Sequence, residues 1–169
     1  VKDIKKYRLV LGSEVIDEVE KLADDLKGIR LCHINSTPFG GGVAELLFSH
    51  IPLMRGVGID ADWQVIRGDR QFFTITKSLH NALQGKPYPV IKQQKIQRAY
   101  MRNNLDNANE LDPDYDAFIV NDPQPAALRH YCTNSKAEAK WIWRCHIDSS
   151  QPDPEAWQFL RPYVKEHDA

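Results

Sequence analysis

The chain reads as an α/β protein, a Rossmann-like parallel sheet with helices on both faces, and three observations predict this. Short apolar runs alternate with amphipathic helical stretches along the whole length. Strands separated in this way are joined most readily by right-handed crossovers, which leave them parallel. The first run, Ile29 to Ile34, stops at small polar residues, and three consecutive glycines follow before a helical pattern starts at Val43. Finally, polar loops fall after the runs, at the carboxyl ends of strands, where open α/β sheets bind their ligands.

In chain order, Ser13 is placed to cap a helix. Its apolar positions Val15, Ile16, Val19, Leu22, Ala23 and Leu26 follow the 3.6-residue period, and Gly28 ends it. Arg30 to Asn35 is a buried strand. Val43 to Arg55 is a helix that Pro52 should kink or shorten. Ala61 to Ile66 is a second strand, with Trp63, Val65 and Ile66 suited to a pleated surface. Gln71 to Leu83 is helical up to Gly85, Pro87 and Pro89 mark a turn, and a polar helix runs from about Gln93 to Glu110. Ala117 to Asn121 is a third strand, closed by Asp122-Pro123-Gln124-Pro125. A helix near Ala126 to Tyr131 precedes a fourth strand over about Lys140 to His146. Pro152 and Pro154 open a last helix through about Glu166, with Trp157, Leu160, Tyr163 and Val164 on its buried side.

At 169 residues the chain is long enough for one domain with a real core. A net charge of −1 offers no global basic field for nucleic acid or an anionic membrane surface. No apolar run approaches the roughly 20 residues of a membrane span, and Val1 to Lys6 lacks the apolar stretch of a signal peptide. Three cysteines, Cys32, Cys132 and Cys145, suit a reducing cytoplasm better than a disulfide framework.

Strand, glycine loop and helix N-terminus in that order suit an anionic or hydroxyl-rich ligand, because backbone N–H groups and the positive end of the helix dipole face it. The same run also serves as a tight connection. Four loops share the carboxyl edge: Asn35 to Gly42, Arg67 to Phe72, Asn121 to Pro125 and His146 to Gln151. All are rich in groups that hydrogen-bond a sugar. A metal drawn from Cys32-His33 and Cys145-His146 is disfavoured, since neighbouring strand residues face opposite ways and no ligand spacing occurs. The contiguous glycines also fail the spaced dinucleotide fingerprint. No cofactor is expected.

Several motifs resemble one family. Asn35-Ser36-Thr37 with Gly40 to Glu45, Gly58 to Trp63, Phe72-Phe73 with Thr76-Lys77, and His80 to Gly85 are similar to the retaining trehalose synthases. So are Asp122 to Pro125 and Trp141 to Asp148. These enzymes are retaining GT-B glycosyltransferases of family 4, which join a nucleotide-activated glucose to free glucose; the trehalose phosphorylases are related. The resemblance covers nearly the whole chain. It implies that residues 1–169 are the single Rossmann-like, acceptor-side N-terminal domain. The C-terminal donor-binding domain would be absent, and the isolated fragment is expected to be inactive. Implied partners are glucose as acceptor, a nucleotide-glucose donor, the missing domain and a second subunit in a homodimer. A trehalose phosphorylase domain and a stand-alone sugar-binding or remnant module are the alternatives.

The resemblance also assigns roles. Gly40, Gly41 and Gly42 would set N–H groups against the donor diphosphate or the leaving oxygen. His146 corresponds to the cleft histidine near the reacting carbon. Asp122 would accept two acceptor hydroxyls, or merely stabilise a proline turn. The family often has His before this Asp; here it is Asn121, which loses the titratable group. Trp63 lies against a sugar face or in the core. Lys77, His80 and Asn81 share one helix face and reach acceptor hydroxyls or solvent. Arg67 and Gln124 stand as similar candidates, and Asp148 either orients Arg144 or caps its loop.

Overall fold

The computed structural model describes residues 2–87 and 93–169, so the expected turn residue Pro89 lies outside the described part. The element order begins with a 3₁₀ turn Ile4–Tyr7, α1 Arg8–Leu11 and α2 Ser13–Asp24. Then come β1 Arg30–Asn35, α3 Gly42–Gly56, β2 Asp60–Val65, α4 Arg70–Leu83 and α5 Gln93–Glu110. The last part holds β3 Ala117–Asn121, α6 Leu128–Tyr131, β4 Lys140–Arg144 and α7 Pro154–Val164. All strand pairs are parallel in the order β2-β1-β3-β4, with His33 of β1 opposite Trp63 of β2 and Ile119 of β3.

Alternation along the strands sorts their side chains onto two unequal faces. Cys32, Ile34, Phe118, Val120 and Trp141 enter a large core with Leu79 and Leu83 of α4, Tyr100 of α5, Leu128 of α6 and Leu160 of α7. Phe118 and Trp141 stack at 4.1 Å between ring centres. The opposite face is smaller. Leu31, Ala61, Trp63, Ala117 and Ile119 pack on Leu47, Ile51 and Met54 of α3.

Several expectations need correction. Ser13 is the first residue of α2 and not its cap; Gly12 holds the cap position at φ 84°. Only Ile16 and Ala23 of the expected apolar stripe are buried, whereas Val15, Leu22 and Leu26 are exposed. The helical period identified the helix but not what covers it. Pro52 lies inside α3, and the helix runs on to Gly56. β4 stops two residues before His146 because the ladder ends there. The Asp122 N–H donates to the Arg144 carbonyl, while the His146 N–H turns to the Asp122 carboxylate. α6 starts two residues after Ala126, behind turns in which Ala126 and Leu128 donate to the carbonyls of Pro123 and Pro125.

Candidate functional site

The polar residues gather where β1, β3 and β4 end. Asn121, the last residue of β3, is fully buried and donates through Nδ2 to the carbonyls of Ile34 (3.0 Å) and Ile119 (3.1 Å). Its Oδ1 is therefore the acceptor facing His146 Nε2 at 2.8 Å. That network assigns the proton of a neutral His146 to Nε2 and leaves Nδ1 as a hydrogen-bond acceptor. Burial, seconded by Arg144, holds the His146 pKa below its ordinary value, while Asp122 pulls the other way. The neutral form prevails at pH 7.

Asp122 is the only described non-glycine residue in the left-handed region, at φ 67°. Such a conformation costs about 1–3 kcal/mol and persists only where surroundings enforce it. They do here. Its N–H donates to Arg144, its carbonyl accepts Trp143 Nε1 at 3.0 Å, and its Oδ1 accepts the His146 N–H at 2.8 Å. The other carboxylate oxygen has no hydrogen-bond partner among the described residues. Asp122 and Lys77 both act electrostatically on His80, whose pKa is lowered chiefly by burial. His80 Nδ1 and Gln124 Oε1 are buried without a partner among the described residues. Leaving such atoms unpaired costs about 1–3 kcal/mol each. The loop beneath is fixed by α5, whose Tyr100 hydroxyl donates to the Pro123 carbonyl at 2.7 Å and whose Asn104 donates to the Gln124 carbonyl at 3.1 Å.

The glycine loop leads from β1 into α3. Asn35 Nδ2 donates to the Thr37 carbonyl at 2.8 Å and the Thr37 hydroxyl to that of Phe39 at 2.6 Å. Only Gly40, at φ 74°, needs to be glycine for its backbone. A Cβ on Gly42 would meet nothing within 4 Å, and one on Gly41 only the Thr37 methyl at 3.9 Å. Nothing among the described residues fills the space that a Cβ would take at these two glycines.

The structure thus brings Asp122 and His146 into contact at the tips of β3 and β4, with His80 of α4 close enough to feel the Asp122 charge and Gln124 two residues on in the same loop. Lys77, also on α4, is exposed, and Asn81 on the same helix is half-buried. Trp63 is half-buried against the α3-side core, with its indole N–H donating to Asn35 Oδ1 at 2.7 Å. Arg67 stands apart. Its guanidinium pairs with Glu110 at 2.8 Å, Asn103 and Asn107 of α5 hold its backbone, and it lines a separate cavity of about 200 Å³. Asp148 caps its loop by accepting the Ser150 N–H at 3.0 Å. Sequence reasoning missed the positioning roles of Asn35 and Asn121. The available signal was an amide closing each apolar run, where a buried strand would otherwise end in an aliphatic residue.

Comparison with known proteins gives a consistent result. The family described as "Trehalose synthase, N-terminal domain" matches residues 33–169. The trehalose synthase of Thermococcus litoralis is 44% identical over 168 residues, which are 99% of this chain and 40% of that protein. The trehalose synthase of Rubrobacter xylanophilus is 40% identical, again over 99% of this chain and 41% of its own length. The trehalose phosphorylase of Pleurotus sajor-caju is 29% identical over 95% of this chain and 24% of its own. The chain therefore spans about two fifths of the synthases it matches.

Proposed function

We propose, from the premise that the chain belongs to the trehalose synthase N-terminal domain family, that it is the acceptor-side half of a retaining GT-B glycosyltransferase. The reaction is nucleotide-glucose plus glucose giving trehalose and free nucleotide. The observation that carries this reading is the Asp122 carboxylate. It is held in a costly backbone conformation with one oxygen on the His146 N–H and the other open, within electrostatic reach of His80, whose Nδ1 is unpartnered, and two residues before Gln124, whose Oε1 is unpartnered too among the described residues. A vicinal diol of a hexose satisfies such a set, because each hydroxyl both donates and accepts.

In this reading Asp122 accepts acceptor hydroxyls, His80, Gln124, Lys77 and Asn81 surround the same sugar, and His146 Nδ1 accepts a hydroxyl near the reacting carbon. N–H groups of Gly41 and Gly42 approach the leaving phosphate, whose negative charge grows as the glycosidic bond breaks. The acceptor hydroxyl oxygen bonds to the donor's anomeric carbon from the side the phosphate leaves, and its proton passes to that phosphate. Trp63, tied to Asn35, and Arg67, paired with Glu110, stand outside this sugar contact. A second reading is a trehalose phosphorylase half, with orthophosphate in place of the nucleotide. The 29% likeness to fungal trehalose phosphorylases supports it. In both readings the isolated 169 residues are inactive, a homodimer is the assembly, and the reduced cysteines suit the cytoplasm.

The native gene product, captured from its source cells and weighed intact, is assayed for trehalose formation from nucleotide-glucose. A product more than twice the mass of this chain, active with nucleotide-glucose, supports the synthase reading. Activity only with glucose 1-phosphate moves it to the phosphorylase. A product of the same mass as this chain, without activity, supports a stand-alone sugar-binding or remnant module instead.

A further inference from the structure

At the tips of β3 and β4 the fold itself, before any ligand arrives, fixes which groups donate and which accept. Asn121 is fully buried, with its Nδ2 3.0 Å from the Ile34 carbonyl and 3.1 Å from the Ile119 carbonyl. Carbonyls only accept, so the amide cannot turn over without setting Oδ1 against two oxygens and stranding both. Oδ1 therefore stays on the His146 ring, 2.8 Å from Nε2. An amide oxygen also only accepts, so Nε2 carries the proton of the neutral ring and Nδ1 holds a lone pair. Nδ1 has no hydrogen-bond partner among the described residues, and the ring is half-buried. The backbone of the same residue is held as well, because its N–H donates to Asp122 Oδ1 at 2.8 Å. The second Asp122 oxygen, open among the described residues, is another group that only accepts.

We propose that Asn121 is a specificity-determining positioning residue: by holding His146 in one tautomer it makes the strand-tip wall of the sugar pocket accept only. In that pocket, on whose reading above this step rests, the wall selects a ligand hydroxyl that donates its proton. A group that only accepts, such as an ether oxygen or a fluorine, finds no donor there and leaves His146 Nδ1 unpaired. Sites built to bond a hydroxyl discriminate strongly against analogues lacking it, because their own polar groups are then stranded. A neutral imidazole free of Asn121 would populate both tautomers, and its Nδ1 would donate as well as accept. Asn121 reaches no ligand in this scheme. It acts through the proton on Nε2, from a position sealed between β1 and β3 by the two carbonyls it caps.

The test joins nitrogen NMR of the 169-residue chain at neutral pH to titrations with glucose and its deoxy and deoxyfluoro analogues, one hydroxyl replaced at a time. Without ligand, His146 should show a protonated Nε2 and a bare Nδ1 in a single tautomer. At the hydroxyl that meets Nδ1, the deoxy and deoxyfluoro analogues should weaken together, by about tenfold against glucose. Asn121→His keeps a donor for a strand carbonyl, but two facing imidazoles let the shared proton sit on either ring. It should give mixed tautomer signals, and the deoxyfluoro analogue should gain about threefold over the deoxy one at that hydroxyl. Asn121→Leu removes all three bonds and should release the ring in the same way. A loss of packing alone would weaken every analogue alike and leave that ratio unmoved. A wild-type His146 with its proton on Nδ1 overturns the proposal. So does the lack of any hydroxyl at which the two analogues fall together, or an Asn121→His chain with wild-type signals and ratio. Each of these outcomes leaves the sugar reading standing while glucose binds at His80. Glucose that does not bind at all fails the sugar reading, and this specificity with it.

Discussion

The two ends of the sheet are made from the same four strands and differ in how far they pair their charged and polar groups. At the amino ends charge is matched. Arg30 reaches Asp60, Asp112 and Asp114 and lies 4.7 Å from the Tyr115 ring centre. Lys136 bridges Asp114 and Asp116, Arg55 meets Asp62 at 2.6 Å, and the Tyr115 hydroxyl donates to Asp62 at 2.8 Å. At the carboxyl ends more groups are left over: both nitrogens of His33, Nδ1 of His80 and Oε1 of Gln124, against Trp141 Nε1 and the neighbouring His167 Nε2 at the start of β4. Folded chains pair nearly all their buried polar groups. An end that pairs its groups internally holds the strands together, and an end that does not is waiting for a partner from outside.

The largest effect expected from this contrast is on sugar binding. Asp122→Asn keeps the shape of the turn and one acceptor for the His146 N–H, but it removes the charge proposed to hold the sugar hydroxyls. Each lost charge-assisted bond is worth about 1.5–3 kcal/mol. The glucose affinity of the chain, read at His80 by NMR titration, should fall by about a hundredfold. An unchanged affinity would place the sugar elsewhere.

Next comes a difference in acid sensitivity between the two ends. His33 is pushed down to about 4 by burial, and His50, His80 and His146 are lowered in the same way. Their folded pKa values lie below the unfolded 6.5, so between the two the unfolded chain binds more protons than the folded one. Stability therefore falls as pH drops from about 6.5 to about 4, with His33 alone contributing about 3 kcal/mol across that window. The paired end behaves differently. Lys136 holds Asp114 and Asp116 below their ordinary value. Their contribution is complete above the unfolded carboxylate value of 3.8 and is lost as pH falls through the lower folded values. Urea unfolding as a function of pH should show both windows, and His33→Asn should flatten only the upper one.

Smaller effects separate holding from binding. Tyr115→Phe removes the bond to Asp62 and should lower stability by about 1 kcal/mol while glucose titration is unaltered. Gly42→Ala, at a position where a Cβ meets nothing within 4 Å, should change stability by less than about 1 kcal/mol. It should weaken binding of a diphosphate, measured by calorimetry. If Gly42→Ala instead lowers stability by more than that and leaves diphosphate binding of the folded chain alone, the glycine run is only a connection.

Much of the candidate site was legible because its signals are local. A glycine run after an apolar strand, Asp before Pro at a strand end, and His at the end of another such run can be read without knowing what they pack against. The strand spans of β1 and β3 and the helix span of α5 were equally plain. Other features were not readable in this way. The apolar stripe of α2 marks a helix, yet exposure of Leu22 and Leu26 depends on which neighbours cover it. Trp63 and Arg67 look equally eligible for a sugar, but the register of β2 beside β1 puts Trp63 on Asn35, and the end of α5 draws Arg67 to Glu110.

By itself, then, the sequence determined the α/β alternation, the parallel sheet, the family and the loops that meet at its carboxyl edge. Periodicity, turn chemistry and motif order are properties of neighbours along the chain. Only the tertiary structure decided that Asp122 adopts a left-handed backbone, that Asn121 sets the His146 tautomer, and that the His33 and His50 rings lie 5.7 Å apart. Each of these depends on groups from β1, α3, β3 and β4 that are distant in sequence. Their energies come from burial and from unpaired hydrogen-bonding groups, which exist only once the strands are side by side.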